Sequence, residues 1–203
     1  ADTKEELENK KLNLKTYLDS MEMVAIPLRF EQQRVLKSML PIFDKQVIEK
    51  LKEKYINIGL INPPYSQKDH VELEFVENLL DILTTGGTGV VVVPMSCAIG
   101  TKFKEVRERL FKKHTLKAVF SMPDDIFYSN NASTNVCVLV WEAHKPNNEK
   151  NNTFFGFYKD DGFVKAKKLG RIDKFNKWNT IKNEWVDLYR DKEVKEGLTA
   201  KHP

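Results

Sequence analysis

The chain has 203 residues, of which 41% are hydrophobic and 31% charged, a composition typical of a globular domain with one substantial core. It contains no run of the roughly 20 apolar residues that a membrane-spanning helix needs, and its polar N-terminus does not resemble a targeting signal. We therefore expect a cytoplasmic protein without a membrane partner. The charge is uneven: residues 1–143 hold 19 Lys/Arg and 20 Asp/Glu, whereas residues 144–203 hold 14 and 9. A basic C-terminal part favours a phosphate-bearing partner.

Residues 1–54 have the apolar spacing of amphipathic helices. Leucines recur at near-helical intervals in the first 20 residues, and Val35, Leu36 and Leu40 belong to a second such stripe after Pro27. The pattern predicts a helical segment over 1–54 and no strand before Tyr55.

From Tyr55 onward, strands and helices alternate. Strands are predicted at 55–61, 89–94, 116–122 and 135–141, and helices at 71–84 and 101–113. The run Val90–Val93 is typical of a strand that is covered on both faces. Because no helix separates the last two strands, we expect them to pair as an antiparallel hairpin. The sequence thus predicts an α/β fold, one half of a doubly wound sheet closed by that hairpin.

The polar stretch 144–152 marks a boundary. Beyond it, apolar residues at 154–158 and 162–164 flank Lys159-Asp160-Asp161 and predict a hairpin, and a helix is predicted around 185–189. The expected organisation is a helical segment (1–54), a central α/β half-domain (55–143) and a small basic appendage (144–203).

The most informative motif is Asn62-Pro63-Pro64-Tyr65, which follows the first predicted strand directly. Ligands of open α/β sheets bind at the carboxyl ends of strands, and two prolines cannot continue a strand ladder. An amide oxygen, a fixed carbonyl and an aromatic ring form a clamp for a planar group that bears an exocyclic amine. The motif does not distinguish the amine of adenine, cytosine or a glutamine side chain.

An enzyme that methylates such an amine from S-adenosylmethionine also needs a glycine-rich turn upstream of the clamp, so that the backbone can approach the cofactor. The first glycine of this chain is Gly59. We therefore expect the main cofactor loop to be absent from residues 1–58, and the chain to be the catalytic and C-terminal part of a larger enzyme.

Few other residues suggest chemistry. Cys97 and Cys137 lack metal-ligand spacing and are expected to be buried, reduced thiols. No metal site is predicted, since adjacent carboxylates such as Asp124-Asp125 usually diverge into solvent. Four basic residues follow aromatic residues in the C-terminal part and are candidates for phosphate contact, although a solvated surface would have the same composition: Lys165, Lys167, Lys168 and Arg171.

The motif resembles that of amino-methyltransferases, and later blocks narrow the resemblance. The blocks at 87–94 (GTGVVVVP), 119–127 (VFSMPDDIF) and 133–140 (STNVCVLV) are similar to adenine-specific DNA methylases of type I restriction-modification systems and their fused restriction–methylation relatives. So are 155–164 (FGFYKDDGFV) and 168–173 (KLGRID). The resemblance covers about residues 55–190.

This resemblance implies a methyltransferase sheet, S-adenosylmethionine as cofactor, and double-stranded DNA with specificity and restriction subunits as partners. It implies that Asn62 to Tyr65 hold a flipped adenine, and that Phe127 or the neighbouring Tyr128 supplies a second aromatic ring against it. The family's glycine-rich loop and helical N-terminal domain have no match here, so this chain alone is expected to be inactive.

Two alternatives remain open. The chain could be a catalytically inactive module that serves assembly or DNA contact, or a protein-glutamine methyltransferase with a similar clamp. In either case half of a doubly wound sheet leaves an apolar strand edge at 55–61. We expect that edge to be covered by the helices of residues 1–54 or to pair in a homodimer.

A calorimetric titration of S-adenosylmethionine into this chain tests the expectation about the cofactor loop. We expect no detectable heat of binding, because no glycine-rich turn precedes the clamp. Micromolar binding would show that the chain holds the cofactor without such a turn.

Overall fold

The computed structural model describes residues 35–38, 49, 55–65, 71–124, 126, 134–166 and 169–203, and for 35–38 the backbone alone. The described residues lie in one compact unit that spans residues 33–203. The strands are β1 Val35–Ser38, β2 Ile58–Ile61, β3 Thr88–Pro94, β4 Thr115–Ser121, β5 Val136–Glu142, β6 Thr153–Phe157, β7 Val164–Ala166, β8 Gly170–Ile172 and β9 Thr199–His202. The helices are α1 Glu72–Ile82, α2 Met95–Ile99, α3 Lys104–Lys113 and α4 Trp178–Asp191, with a 3-10 turn at Thr101–Phe103.

Seven strands form one mixed sheet in the order β1-β2-β3-β5-β4-β6-β9. Strands β1, β2 and β3 are parallel neighbours, and β5 is antiparallel to both β3 and β4. The predicted α/β fold with a terminal antiparallel hairpin is therefore confirmed. Among the described residues, no helix is long and apolar enough to cross a membrane.

Two expectations about the sheet are wrong. Residues 35–38 form strand β1 rather than part of a helix, and β1 covers the edge of β2 that the sequence analysis expected helices or a second copy to cover. The stretch 154–158 does not pair with 162–164. It contributes β6, which pairs with β4 and β9, while the separate hairpin is β7–β8. The strands after residue 144 thus belong to the main sheet, and the proposed domain boundaries stay a prediction.

Close packing of α1 on the sheet depends on two glycines that are partners across β2 and β3, Gly59 and Gly89. A Cβ on Gly59 would lie 2.8 Å from Leu79 Cδ1, and one on Gly89 would lie 2.5 Å from Leu80 Cδ2. Both leucines are buried. A side chain at either glycine would therefore displace a buried leucine side chain of α1, at a typical overpacking cost of about 1–3 kcal/mol.

Both faces of the central strands are buried, as the valine run predicts. Val90 to Val93 are all buried, and alternate residues face the core formed with α1 and α3. A second cluster, of aromatic rings, joins β4 and β6 to α4. Within it Tyr158 stacks on Trp185 with a centroid separation of 4.4 Å, and its hydroxyl donates to the Trp185 carbonyl at 2.9 Å.

Two histidines lie at the edge of the sheet where β4 begins and β5 ends. His114 is fully buried, and its Nδ1 accepts a hydrogen bond from the His144 backbone N–H at 3.0 Å. Within the described residues its Nε2 has no hydrogen-bond partner, and Asp81 Oδ1 is 3.9 Å away. Burial, reinforced by the charges of His144 and Lys113, lowers the pKa of His114 to about 4.

This histidine makes folding stability depend on pH. Above about pH 6.5 the imidazole is neutral in both states. As the pH falls from 6.5 to about 4, the unfolded chain takes up a proton that the native chain excludes, so stability is lost over that window. A shift from 6.5 to about 4 corresponds to about 3 kcal/mol.

Urea unfolding between pH 7 and pH 4 measures this effect. We expect the wild-type chain to lose about 3 kcal/mol more than His114→Gln, while His202→Gln, at an exposed position, matches wild type. Equal losses in wild type and His114→Gln would contradict the assignment.

Candidate active site

The motif Asn62-Pro63-Pro64-Tyr65 lies at the carboxyl end of β2, as predicted. The last residue of β2, Ile61, pairs with Val91, whereas β3 continues to Pro94. The motif therefore follows a strand that ends three residues before its neighbour does. The carboxyl ends of β2, β3, β4 and β6 and the start of β5 gather at this edge, which we call the clamp edge.

Within the motif, the Tyr65 hydroxyl donates a hydrogen bond to Asn62 Oδ1 at 2.8 Å and lies 3.3 Å from the carbonyl oxygen of Val92. Pro63 is buried, and the other three residues are partly buried. The hydroxyl thus orients the side-chain amide of Asn62, with Oδ1 toward Tyr65. Its contact with the Val92 carbonyl also links the motif to β3. Because an amide oxygen has two lone pairs, Asn62 Oδ1 can accept a second hydrogen bond from a ligand.

The segment after β3 forms the next part of the clamp edge. The Met95 N–H donates to the carbonyl of Asn135 at 2.8 Å, which joins the start of α2 to the start of β5. Arg107 fixes the other end of α2, because its guanidinium donates to the carbonyls of Cys97 and Gly100 at 2.9 and 2.8 Å. Ile99, the last residue of α2, is 76% exposed.

The two cysteines behave as the sequence predicts. Both are free and buried, and burial raises the pKa of each thiol to about 12. They are therefore protonated at neutral pH and poor nucleophiles. In the described part of the chain, no group of His, Cys, Asp or Glu side chains is arranged to hold a metal ion.

The predicted phosphate-binding residues differ in their surroundings. Lys165 is exposed and faces Arg171 across the β7–β8 hairpin. Arg171 forms a bidentate ion pair with Asp161, at 2.7 and 3.0 Å, and lies over the ring of Phe163. With its side chain only 15% exposed, Arg171 holds the hairpin against the preceding loop. The remaining candidates lie outside the described residues: Phe127, Tyr128, Lys167 and Lys168.

Sequence reasoning did not single out Glu72, which begins α1 shortly after the motif. Its side chain is only 4% exposed, and its negative charge contributes to the raised pKa of the Cys97 thiol. Glutamate is common on helix surfaces, so only the packing identifies this one as a buried acid.

The residues present fit one part of a methyltransferase site. Asn62 Oδ1 and the carbonyl of Pro63 provide acceptors for an amine, but the chain has no glycine ahead of Gly59 to form a close-approach turn. The described residues thus supply hydrogen-bond acceptors that suit an amine and do not include a glycine-rich cofactor-binding turn.

Residues 19–197 match the family model described as N-6 DNA Methylase. Since the match covers most of the chain, the protein belongs to the N-6 DNA methylase family. This agrees with the resemblance drawn from the sequence blocks and with the position of the Asn62–Tyr65 motif.

Curated relatives and solved structures agree with the family assignment. The chain is 32% identical over 125 residues to the type II restriction enzyme and methyltransferase RM.BcgI of Heyndrickxia coagulans. The aligned region covers 58% of this chain and 19% of that protein. It is 32% identical over 84 residues to the methylase subunit of the type I restriction enzyme EcoKI of Escherichia coli, covering 40% of this chain and 16% of that protein. The chain therefore spans less than a fifth of either relative.

A crystal structure of a modification subunit attributed to a type I restriction enzyme from Vibrio vulnificus has the same fold. The TM-score is 0.60 at 14% identity, over 76% of this chain and 35% of that one. A chain from a study of type I restriction-modification assembly matches with a TM-score of 0.53 at 18% identity, over 93% of this chain and 48% of that one.

Proposed function

We propose that this chain is the amine-binding part of a DNA adenine methyltransferase in a restriction-modification system. The observation that carries the proposal is the position of Asn62 Oδ1, at the clamp edge, in a chain of the N-6 DNA methylase family. The methyl donor in this proposal is S-adenosylmethionine. Because the residues present supply no cofactor loop, we assign to them only the binding of the target amine.

The chemistry requires acceptors because the lone pair of an exocyclic amine is delocalised into its ring. Asn62 Oδ1 and the Pro63 carbonyl would accept hydrogen bonds from the two N–H groups, which moves electron density back to the nitrogen. Proline fixes its own φ angle, so the second acceptor is held in place before the substrate arrives.

Tyr65 would have two roles. Its ring would stack on the adenine after the base leaves the duplex, which recovers about 1–3 kcal/mol of the lost stacking. Its hydroxyl, bound to Asn62 Oδ1 at 2.8 Å, would keep the amide oxygen oriented toward the amine. Phe127 or Tyr128 would add a second aromatic contact, and Lys165, Lys167, Lys168 and Arg171 stay candidates for contact with the DNA backbone.

The partners in this proposal are double-stranded DNA and the specificity and restriction subunits or domains of the same system, in the cytoplasm. The proposal also includes a homodimer through a sheet edge. The second candidate function is a catalytically inactive module for assembly or DNA contact. The Asn62–Tyr65 hydrogen bond and the strand offset that supports it favour the enzyme.

Asn62→Ala in the complete methyltransferase tests the clamp. We expect N6-methyladenine formation on unmethylated bacterial DNA, measured by mass spectrometry, to fall at least about a hundredfold, as when a preorganised polar contact to a transition state is removed. The dissociation constant for DNA should stay unchanged.

Asn152→Ala is the matched control, because that asparagine is exposed in the turn before β6, at the opposite edge. Retained methylation by Asn62→Ala would refute the clamp. Absence of methylation and DNA binding in the wild-type enzyme would refute the proposed function.

The two roles of Tyr65 are separated by Tyr65→Phe and Tyr65→Ala. Phenylalanine keeps the ring, so we expect turnover to fall by no more than about tenfold, which corresponds to one hydrogen bond. Alanine removes the ring as well, and we expect a further loss of roughly fivefold or more. Equal activities in these two variants, measured as single-turnover rates, would exclude stacking.

A further inference from the structure

An exposed aromatic residue with two lysines beside it lies in the turn before α4. Phe175 is 58% exposed. The Nζ atoms of Lys174 and Lys177 lie 5.6 and 5.8 Å from the centroid of its ring. We call these three residues the Phe175 platform. None of them belongs to the Asn62–Tyr65 site.

The turn that carries the platform is held by its own hydrogen bonds. The Asp173 carboxylate accepts from the N–H groups of Lys177 and Trp178, at 2.8 and 3.2 Å. Asn176 adopts a left-handed φ of 53° and donates its N–H to the Asp173 carbonyl at 3.3 Å. Because Asp173 is engaged in capping α4, the exposed ring is presented by a structured turn.

The two lysines of the platform differ from several other basic side chains in their ion pairing. Several basic side chains of the C-terminal part have a carboxylate partner, in the pairs Lys159–Asp124, Arg171–Asp161, Arg190–Asp187 and Lys195–Glu184. In the described part of the chain, no carboxylate lies within ion-pairing distance of Lys174 or Lys177. Two ammonium groups close to an exposed ring are complementary to a phosphate backbone, since they supply the charge that neutralises phosphates.

The platform lies at the clamp edge. A Cβ on Gly162, in the loop after β6, would lie 2.9 Å from Lys177 Cβ, so the turn is next to the carboxyl end of β6. In the sheet, β6 is four strands away from β2. Four spacings of about 4.8 Å separate the carboxyl ends of β2 and β6 by roughly 19 Å along the edge, which is the length of five or six base pairs at about 3.4 Å each.

We propose that the Phe175 platform contacts the backbone of the DNA duplex about half a helical turn from the methylated base. The two ammonium groups neutralise phosphates, and the ring packs on the sugar between them. This inference rests on the proposed function, since it names a further contact with the same substrate.

The salt dependence of DNA binding tests the lysines. In the complete enzyme, Lys174→Gln/Lys177→Gln should reduce the slope of log K against log salt by roughly 1.8, because each phosphate contact contributes about 0.9. The measurement is fluorescence anisotropy on a 30-base-pair duplex. The double variant Lys112→Gln/Lys150→Gln is the control: it removes the same charge from exposed positions at the opposite edge, in the last turn of α3 and in the turn after β5, and should keep the wild-type slope.

Phe175→Ala tests the ring. We expect roughly fivefold weaker binding, because the apolar contact between the ring and the sugar is lost, with an unchanged salt slope and an unchanged melting temperature. Phe175→Tyr should bind as wild type does.

The outcomes separate this inference from the proposed function. If the wild-type enzyme binds and methylates DNA while all platform variants keep its affinity and slope, the platform inference is wrong and the proposed function stands. Weaker assembly with a partner subunit at unchanged DNA affinity would assign the platform to a protein interface and overturn the inference. If wild type neither binds nor methylates DNA, the proposed function fails first.

Discussion

The site depends on a difference in length between two parallel strands. β2 ends at Ile61, opposite Val91, because the next residues include two prolines without N–H groups. β3 continues for three more residues, to Pro94. Its free flank alongside the motif receives the Tyr65 hydroxyl at the Val92 carbonyl. If both strands ended together, the Tyr65 hydroxyl would have no contact with the Val92 carbonyl, and the link that fixes the motif to β3 would be lost.

Local patterns in the sequence predicted the central sheet well. The valine run of β3 and the apolar run of β5 lie within a residue of the predicted bounds, and the absence of a helix before β5 correctly indicated an antiparallel pair. The errors concern strands whose hydrogen-bonding partners lie elsewhere in the sequence. β1 has four residues, too few to distinguish a strand from one turn of an amphipathic helix. β6 was assigned to a hairpin with 162–164, whereas the structure pairs it with β4 and the distant β9.

The candidate site shows the same division between local and non-local information. The position of Asn62 at a strand end followed from the sequence, since prolines after an apolar run permit little else. The bond between Tyr65 and Asn62 did not, because a hydroxyl three residues away has many possible partners. Arg171 was grouped with three lysines by composition, yet the structure pairs it with Asp161. A basic residue becomes a candidate for phosphate contact only once its acidic neighbours are known, as the contrast with Lys174 illustrates.

The distribution of exposed apolar side chains connects the clamp with the rest of the surface. Ile99 follows β3, Phe157 ends β6, and Leu169 and Phe175 lie between β6 and α4, whereas the exposed Tyr55 and Val194 precede β2 and follow α4. A small substrate would need only the partly buried motif, and its surroundings would gain nothing from exposed apolar groups. Exposed apolar residues after β3 and β6, together with two lysines that have no carboxylate partner among the described residues, instead suit a ligand that extends well beyond the reacting amine. A DNA duplex with one base turned toward Asn62 is the ligand that we propose, and its phosphates would be complementary to the two lysines of the Phe175 platform.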